Sequence, residues 1–126
     1  MLRWLRDYRR EWLQPDLLAG LITAAVVIPK VDSVEYVDQV SALLDEAGAP
    51  ASVMIWPMIE TPTAVVNVRS TAAHPRGAVL VRGSNDLAKE LRLPLVPGRA
   101  GLVPHLAASI LAARESGKVI LDWTEA

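Results

Sequence analysis

The chain has 126 residues, enough for one modest domain. Its 13 lysines and arginines nearly balance 14 aspartates and glutamates, and a net charge of −1 gives no general bias toward nucleic acid. Cysteine is absent, which excludes disulfides, thiolate zinc sites and cysteine nucleophiles and is compatible with the cytoplasm. With 52% apolar residues and no Phe, the core must be built from small aliphatics, as suits buried parallel strands.

Met1–Leu13 is basic and aromatic, with Arg3, Arg6, Arg9 and Arg10. Leu2, Leu5, Arg9 and Trp12 fall near one helical face, with Trp4 and Tyr8 beside it. Such an amphipathic helix suits peripheral contact with an anionic membrane, or equally a solvated cover over the end of a sheet. The apolar run Leu17–Ile28 is about a dozen residues, short of the roughly 20 that span a bilayer. No small-residue cleavage site follows it, so a secretory leader is not expected.

From there the pattern alternates. Ala25–Ile28 reads as a strand ended by Pro29–Lys30. Ser33 stands as a cap for a helix with Tyr36, Val37, Val40, Leu43 and Leu44 at helical spacing, closed by Gly48–Ala49–Pro50. Val53–Ile59 is the second strand. Thr61–Pro62 opens a helix whose apolar side is Val65, Val66 and Val68, up to a surface turn at His74–Pro75. Ala78–Val81 is the third strand, followed by a turn at Gly83–Asp86 and a short helix, Leu87–Leu91. Pro94, Pro97, Gly98 and Gly101 mark a loop. Leu102–Glu115 is a helix stopped by Ser116–Gly117, and Val119–Leu121 is the last strand.

The order β-α-β-α-β-α-α-β predicts an α/β fold with a parallel sheet and right-handed crossovers. Four strands are half of an eight-stranded barrel, so edges stay open unless a second copy or a partner chain covers them.

Glu60 and Asp86 follow two successive strands. The carboxyl ends of parallel strands are where ligands bind, and two carboxylates there can share a hard cation such as Mg²⁺. Asn85 can orient a ligand or cap its turn. His105 reads as structural, and neither histidine has a second one at metal spacing. Ser33, Ser84 and Ser109 lack a nucleophile elbow, and Arg82-Gly83-Ser84-Asn85 lacks the P-loop pattern.

Four segments carry a resemblance: Val26-Val27-Ile28-Pro29-Lys30-Val31, Ile59-Glu60-Thr61-Pro62, Gly83-Ser84-Asn85-Asp86-Leu87-Ala88-Lys89 and Gly117-Lys118-Val119-Ile120-Leu121-Asp122. From Ala25 to Asp122 the chain resembles the HpcH/HpaI aldolase and citrate lyase β-subunit family, nearest its CoA-ester lyase branch. The resemblance implies a TIM barrel that makes or breaks C–C bonds beside a carbonyl, on CoA thioesters such as malyl-CoA or on 2-oxo acids. It implies Mg²⁺ held by Glu60 and Asp86, with Lys30, Gly83, Ser84 and Asn85 near the substrate. Lys30 would meet a CoA phosphate or a substrate carboxylate, or stand as a solvated rim residue.

There are departures. The family's early acidic pair and substrate-binding Arg have no counterpart in Met1–Ala24. Thr63 and Ala64 replace a common Arg-Gly, Arg82 replaces an apolar residue, and Trp123-Thr124-Glu125-Ala126 replaces a Gly-Val-Tyr-like continuation. Residues 25–126 are therefore expected to form a partial barrel, active only when completed by missing strands. Tyr8-Arg9-Arg10-Glu11-Trp12-Leu13-Gln14-Pro15-Asp16-Leu17-Leu18-Ala19-Gly20-Leu21 resembles the start of a sulfate-permease-type anion transporter, which makes residues 1–24 a separate segment. The alternatives are a non-catalytic α/β oligomerisation module and a membrane-associated transporter remnant.

Overall fold

The computed structural model of the protein describes residues 25–94 and 96–123. The expected amphipathic helix and membrane contact of residues 1–13 lie outside them.

Strand β1 spans Ala25–Ile28. Helix α1 is Val34–Glu46, β2 is Met54–Ile59, α2 is Pro62–Val66 and α3 is Val68–Ala73. Then come β3 (Val79–Gly83), α4 (Ser84–Glu90), α5 (Val103–Glu115) and β4 (Val119–Trp123). The sheet order is β1-β2-β3-β4, and every pairing is parallel. Pro57 sits inside β2, where a missing N–H would ordinarily break a ladder. It is tolerated because the contacts on the β3 side skip it: Ile55 bridges Gly77, and the ladder with β3 resumes at Met58.

Alternation along the strands sorts side chains to two faces. Ile55, Ile59 and Leu80 point to the helices and are buried. Ile59 and Leu80 pack with Ala64, Val68, Ala72, Ala112 and Ala113, so small helix residues let α2, α3 and α5 lie close on the sheet. Ile28, Val31, Val37 and Ile55 form a second cluster under α1. The opposite face is open along its edge strands, where Val27, Val119 and Leu121 are 47%, 48% and 46% exposed, while Val81 at its centre is buried. In a closed barrel this face is filled by side chains from facing strands.

Several sequence expectations need correction. The helix expected after Thr61 is two helices, broken at Asn67. The Asn67 side chain donates to the Asp32 carbonyl at 2.8 Å, which ties this break to the loop before α1. Val66 is 82% exposed rather than apolar lining. Tyr36 and Leu43 face solvent, leaving Val37, Val40 and Leu44 as the packed side of α1. No turn separates Gly83 from Asp86, because α4 starts directly at Ser84. Asn85 is therefore a helical residue, not a turn cap.

Ser33 occupies the cap position of α1 without a side-chain capping bond, whereas Thr61 Oγ1 accepts the Ala64 N–H at 3.0 Å. His74 is buried, not on the surface. Its Nδ1 accepts the Arg76 N–H at 3.1 Å, which leaves Nε2 to meet Asp38 Oδ1 at 3.0 Å. No described helix is long and apolar enough to cross a membrane.

Candidate metal centre

Glu60 directly follows β2, and its side chain lies on the open side of the sheet, at the strand's carboxyl end. It is 4% exposed. Two backbone features hold it. The Lys30 N–H donates to Glu60 Oε1 at 2.9 Å, from a residue with φ of +49°. That left-handed conformation is uncommon for a side-chain-bearing residue, and here it turns the N–H toward the carboxylate. On the other side Gly83 leaves the room: a Cβ there would lie 2.6 Å from Glu60 Oε2 and 2.8 Å from Glu60 Cβ. Thr61, the next residue, is fixed as the α2 cap and also donates to Asp32 Oδ1.

Asp86 is exposed in the first turn of α4. Burial is the main cause that pushes the Glu60 carboxyl above its ordinary range. The Lys30 N–H opposes that push, while the charge of Asp86 and a hydrogen bond with it add to it. Two carboxylates brought this close favour either a shared proton or a cation between them. Among the described residues no group of three or more His, Asp or Glu converges. The donor set is thus a pair of hard oxygen ligands, which suits Mg²⁺ with water or substrate filling the remaining positions.

The other sequence candidates scatter. Lys30 meets Glu60 through its backbone, and its side chain is exposed. Gly83 is part of the centre as the surface against which Glu60 rests. Ser84 is buried, and its hydroxyl donates to Asp122 Oδ1 at 2.5 Å, on the helix side of the sheet. Asn85 is half-buried in the first turn of α4.

Sequence reading missed a second charged cluster on that helix side. Arg82 and Asp122 are register partners in β3 and β4. Asp122 Oδ2 accepts from Arg99 Nη1 at 2.6 Å. Burial would raise the Asp122 carboxyl, but the Ser84 and Arg99 bonds outweigh it and hold it below the ordinary range. The available signal was an Arg and an Asp at matching ends of neighbouring strands.

The profile of the HpcH/HpaI aldolase/citrate lyase family matches residues 8–124. The chain belongs to this family. A (3S)-malyl-CoA thioesterase of Cereibacter sphaeroides is 39% identical over 114 residues, which are 89% of this chain and 38% of the relative. The chain thus spans little more than a third of the curated relatives it matches. A citrate lyase from Burkholderia xenovorans superposes with a TM-score of 0.67 at 21% identity, covering 94% of this chain and 43% of that one. Protein CitE from Mycobacterium tuberculosis, solved in complex with magnesium and acetate, gives 0.58 at 23% identity, covering 91% and 46%. These likenesses establish the fold as part of a TIM barrel, four strands with their helices. The family match begins at residue 8, so it takes in the whole Tyr8–Leu21 segment that also resembles a transporter.

Proposed function

We propose that this family member carries the metal-binding part of a Mg²⁺-dependent carbon–carbon lyase or aldolase site, acting on a CoA thioester or a 2-oxo acid in the cytoplasm. The observation that carries the reading is the buried Glu60 carboxylate, clamped between the Lys30 N–H and Gly83 with Asp86 beside it. When bound, Mg²⁺ supplies Lewis-acid stabilisation of negative charge on a substrate oxygen. Glu60 fixes one ligand direction, because turning the carboxylate breaks the Lys30 N–H bond to Oε1. Asp86, exposed, offers the second from the solvent side. Gly83 puts no side chain into the same space, and the Lys30 ammonium adds positive charge at the rim for a phosphate or carboxylate. The facing barrel wall belongs to strands beyond these four, and activity requires them. The magnesium complex of CitE and the malyl-CoA thioesterase relatives support this reading.

The test is metal-dependent stability of the chain. A Mg²⁺ concentration of ten times Kd should stabilise wild type by about 1–2 kcal/mol. Glu60→Gln and Asp86→Asn should each abolish the gain. An unchanged melting temperature for wild type at saturating Mg²⁺ overturns the proposal. The metal-free protein gives a second check. Burial holds the folded Glu60 carboxyl above its ordinary range, so its contribution to stability is present below the ordinary carboxylate range and lost as pH rises through the folded value. Glu60→Gln should therefore gain on wild type as pH rises, and added Mg²⁺ should reverse that order.

A second reading rests on the open sheet face. Val27, Val119 and Leu121 are near half-exposed, and β1 and β4 each have one neighbouring strand among the described residues. A second copy of the chain would cover both the face and the edges. Sedimentation velocity should then give a dimer that Leu121→Lys converts to a monomer. A wild-type monomer across the micromolar range rules it out.

A further inference from the structure

Arg82 is 0% exposed, and its Nε, Nη1 and Nη2 have no hydrogen-bond partner among the described residues. A guanidinium carries five N–H donors in a planar fork, and burying them unpaired is costly. Its register partner Asp122 is already committed to Ser84 and Arg99. Among the described residues the cluster holds two guanidinium groups against one carboxylate, an excess of one positive charge. It also has a solvent end: the Arg99 and Asp122 side chains are 37% and 32% exposed. Arg99 sits between helices α4 and α5 and carries a φ of +48°.

We propose that Arg82 and Arg99 form a binding site for a small oxyanion, with inorganic phosphate or the phosphate group of a larger ligand as occupant. The planar fork of Arg82 matches two oxygens of such a group, which a water or a chloride does not. Arg99 reaches the same anion by releasing Asp122. One anion balances the cluster's excess charge. The site is separate from the Glu60 centre: Arg82 and Gly83 are consecutive in β3, so they face opposite sides of the sheet. It therefore binds whether or not the metal centre is competent.

Thermal melts of the whole chain test this in potassium chloride and in potassium phosphate at equal ionic strength. Phosphate should raise the wild-type melting temperature by about 4 °C or more, a shift of the size ligand linkage gives. Arg82→Met should lose that increment. Phosphate also stabilises proteins by exclusion from their surface, and this acts on both forms alike. An equal rise in wild type and Arg82→Met, or no rise in either, overturns the site. Line broadening of the phosphorus resonance of inorganic phosphate by wild type provides a measurement that does not depend on the Arg82 variant folding. Broadening should disappear with Arg99→Gln, and broadening that survives Arg99→Gln counts against the site. Coenzyme A, tested beside inorganic phosphate, separates the two sources. A larger Arg82-dependent shift with coenzyme A assigns the site to the phosphate of a larger ligand, and an equal or smaller one to free phosphate.

Discussion

Gly83→Ala is expected to cost about 1–3 kcal/mol of stability and to remove the response to Mg²⁺. Gly83 has φ of −92° and ψ of 83°, so its backbone conformation does not demand glycine. The whole cost is steric. The added methyl would sit 2.6 Å from Glu60 Oε2 and 2.8 Å from Glu60 Cβ. Rotating the carboxylate away relieves the first contact and breaks the Lys30 N–H bond. It leaves the second contact in place, because Cβ does not move with χ1. The backbones of β2 and β3 must therefore separate at the Ile59–Arg82 pairing, which is the end of their ladder. Both adjustments move Glu60 relative to Asp86, so the metal effect should vanish with the stability. Urea melts with and without MgCl₂ check this. A variant with the wild-type midpoint and the wild-type Mg²⁺ increment would show that Glu60 does not rest on Gly83.

The sheet and its order were legible because parallel strands in this fold write themselves as short apolar runs, and each run here is followed by a helix opener such as Thr61–Pro62. The position of Glu60 and Asp86 followed from the same rhythm, since both stand just after strands. What was not legible depends on which face a residue takes. His74 next to Pro75 reads as a surface turn, yet Asp38 from α1 and the Arg76 N–H close around it. Ser84 shares a motif with Asp86, but the direct passage from β3 into α4 sends its hydroxyl to the other side of the sheet. Lys30 offers its ammonium to a reading of the sequence, while its clear contact is a backbone N–H set by a positive φ that no local pattern announces. Asn67, at the helix break, bonds Asp32, a partner far away in sequence.

Arg76 and Arg82 should respond in opposite directions to the same substitution. Arg76 is 10% exposed in its side chain and fully engaged. Its Nε donates to the Val53 carbonyl at 3.0 Å, and its Nη1 donates to the Ser41 carbonyl at 3.0 Å and to Asp45 Oδ1 at 2.6 Å. It ties the start of β2 to the last turns of α1. Arg76→Met strips donors from buried carbonyls and should cost about 2–4 kcal/mol. Among the described residues Arg82 has no such partners, and burial pushes its guanidinium down to about 10. Methionine fills a similar volume without a charge to desolvate, so Arg82→Met in chloride buffer should gain about 1–4 kcal/mol. Parallel urea melts decide both. If Arg82→Met destabilises the chain as Arg76→Met does, Arg82 is satisfied within the folded protein, and the case for an oxyanion beside it loses its physical basis. If it stabilises, the chain keeps a cation in its interior at a cost to folding, and an anionic occupant is what offsets that cost.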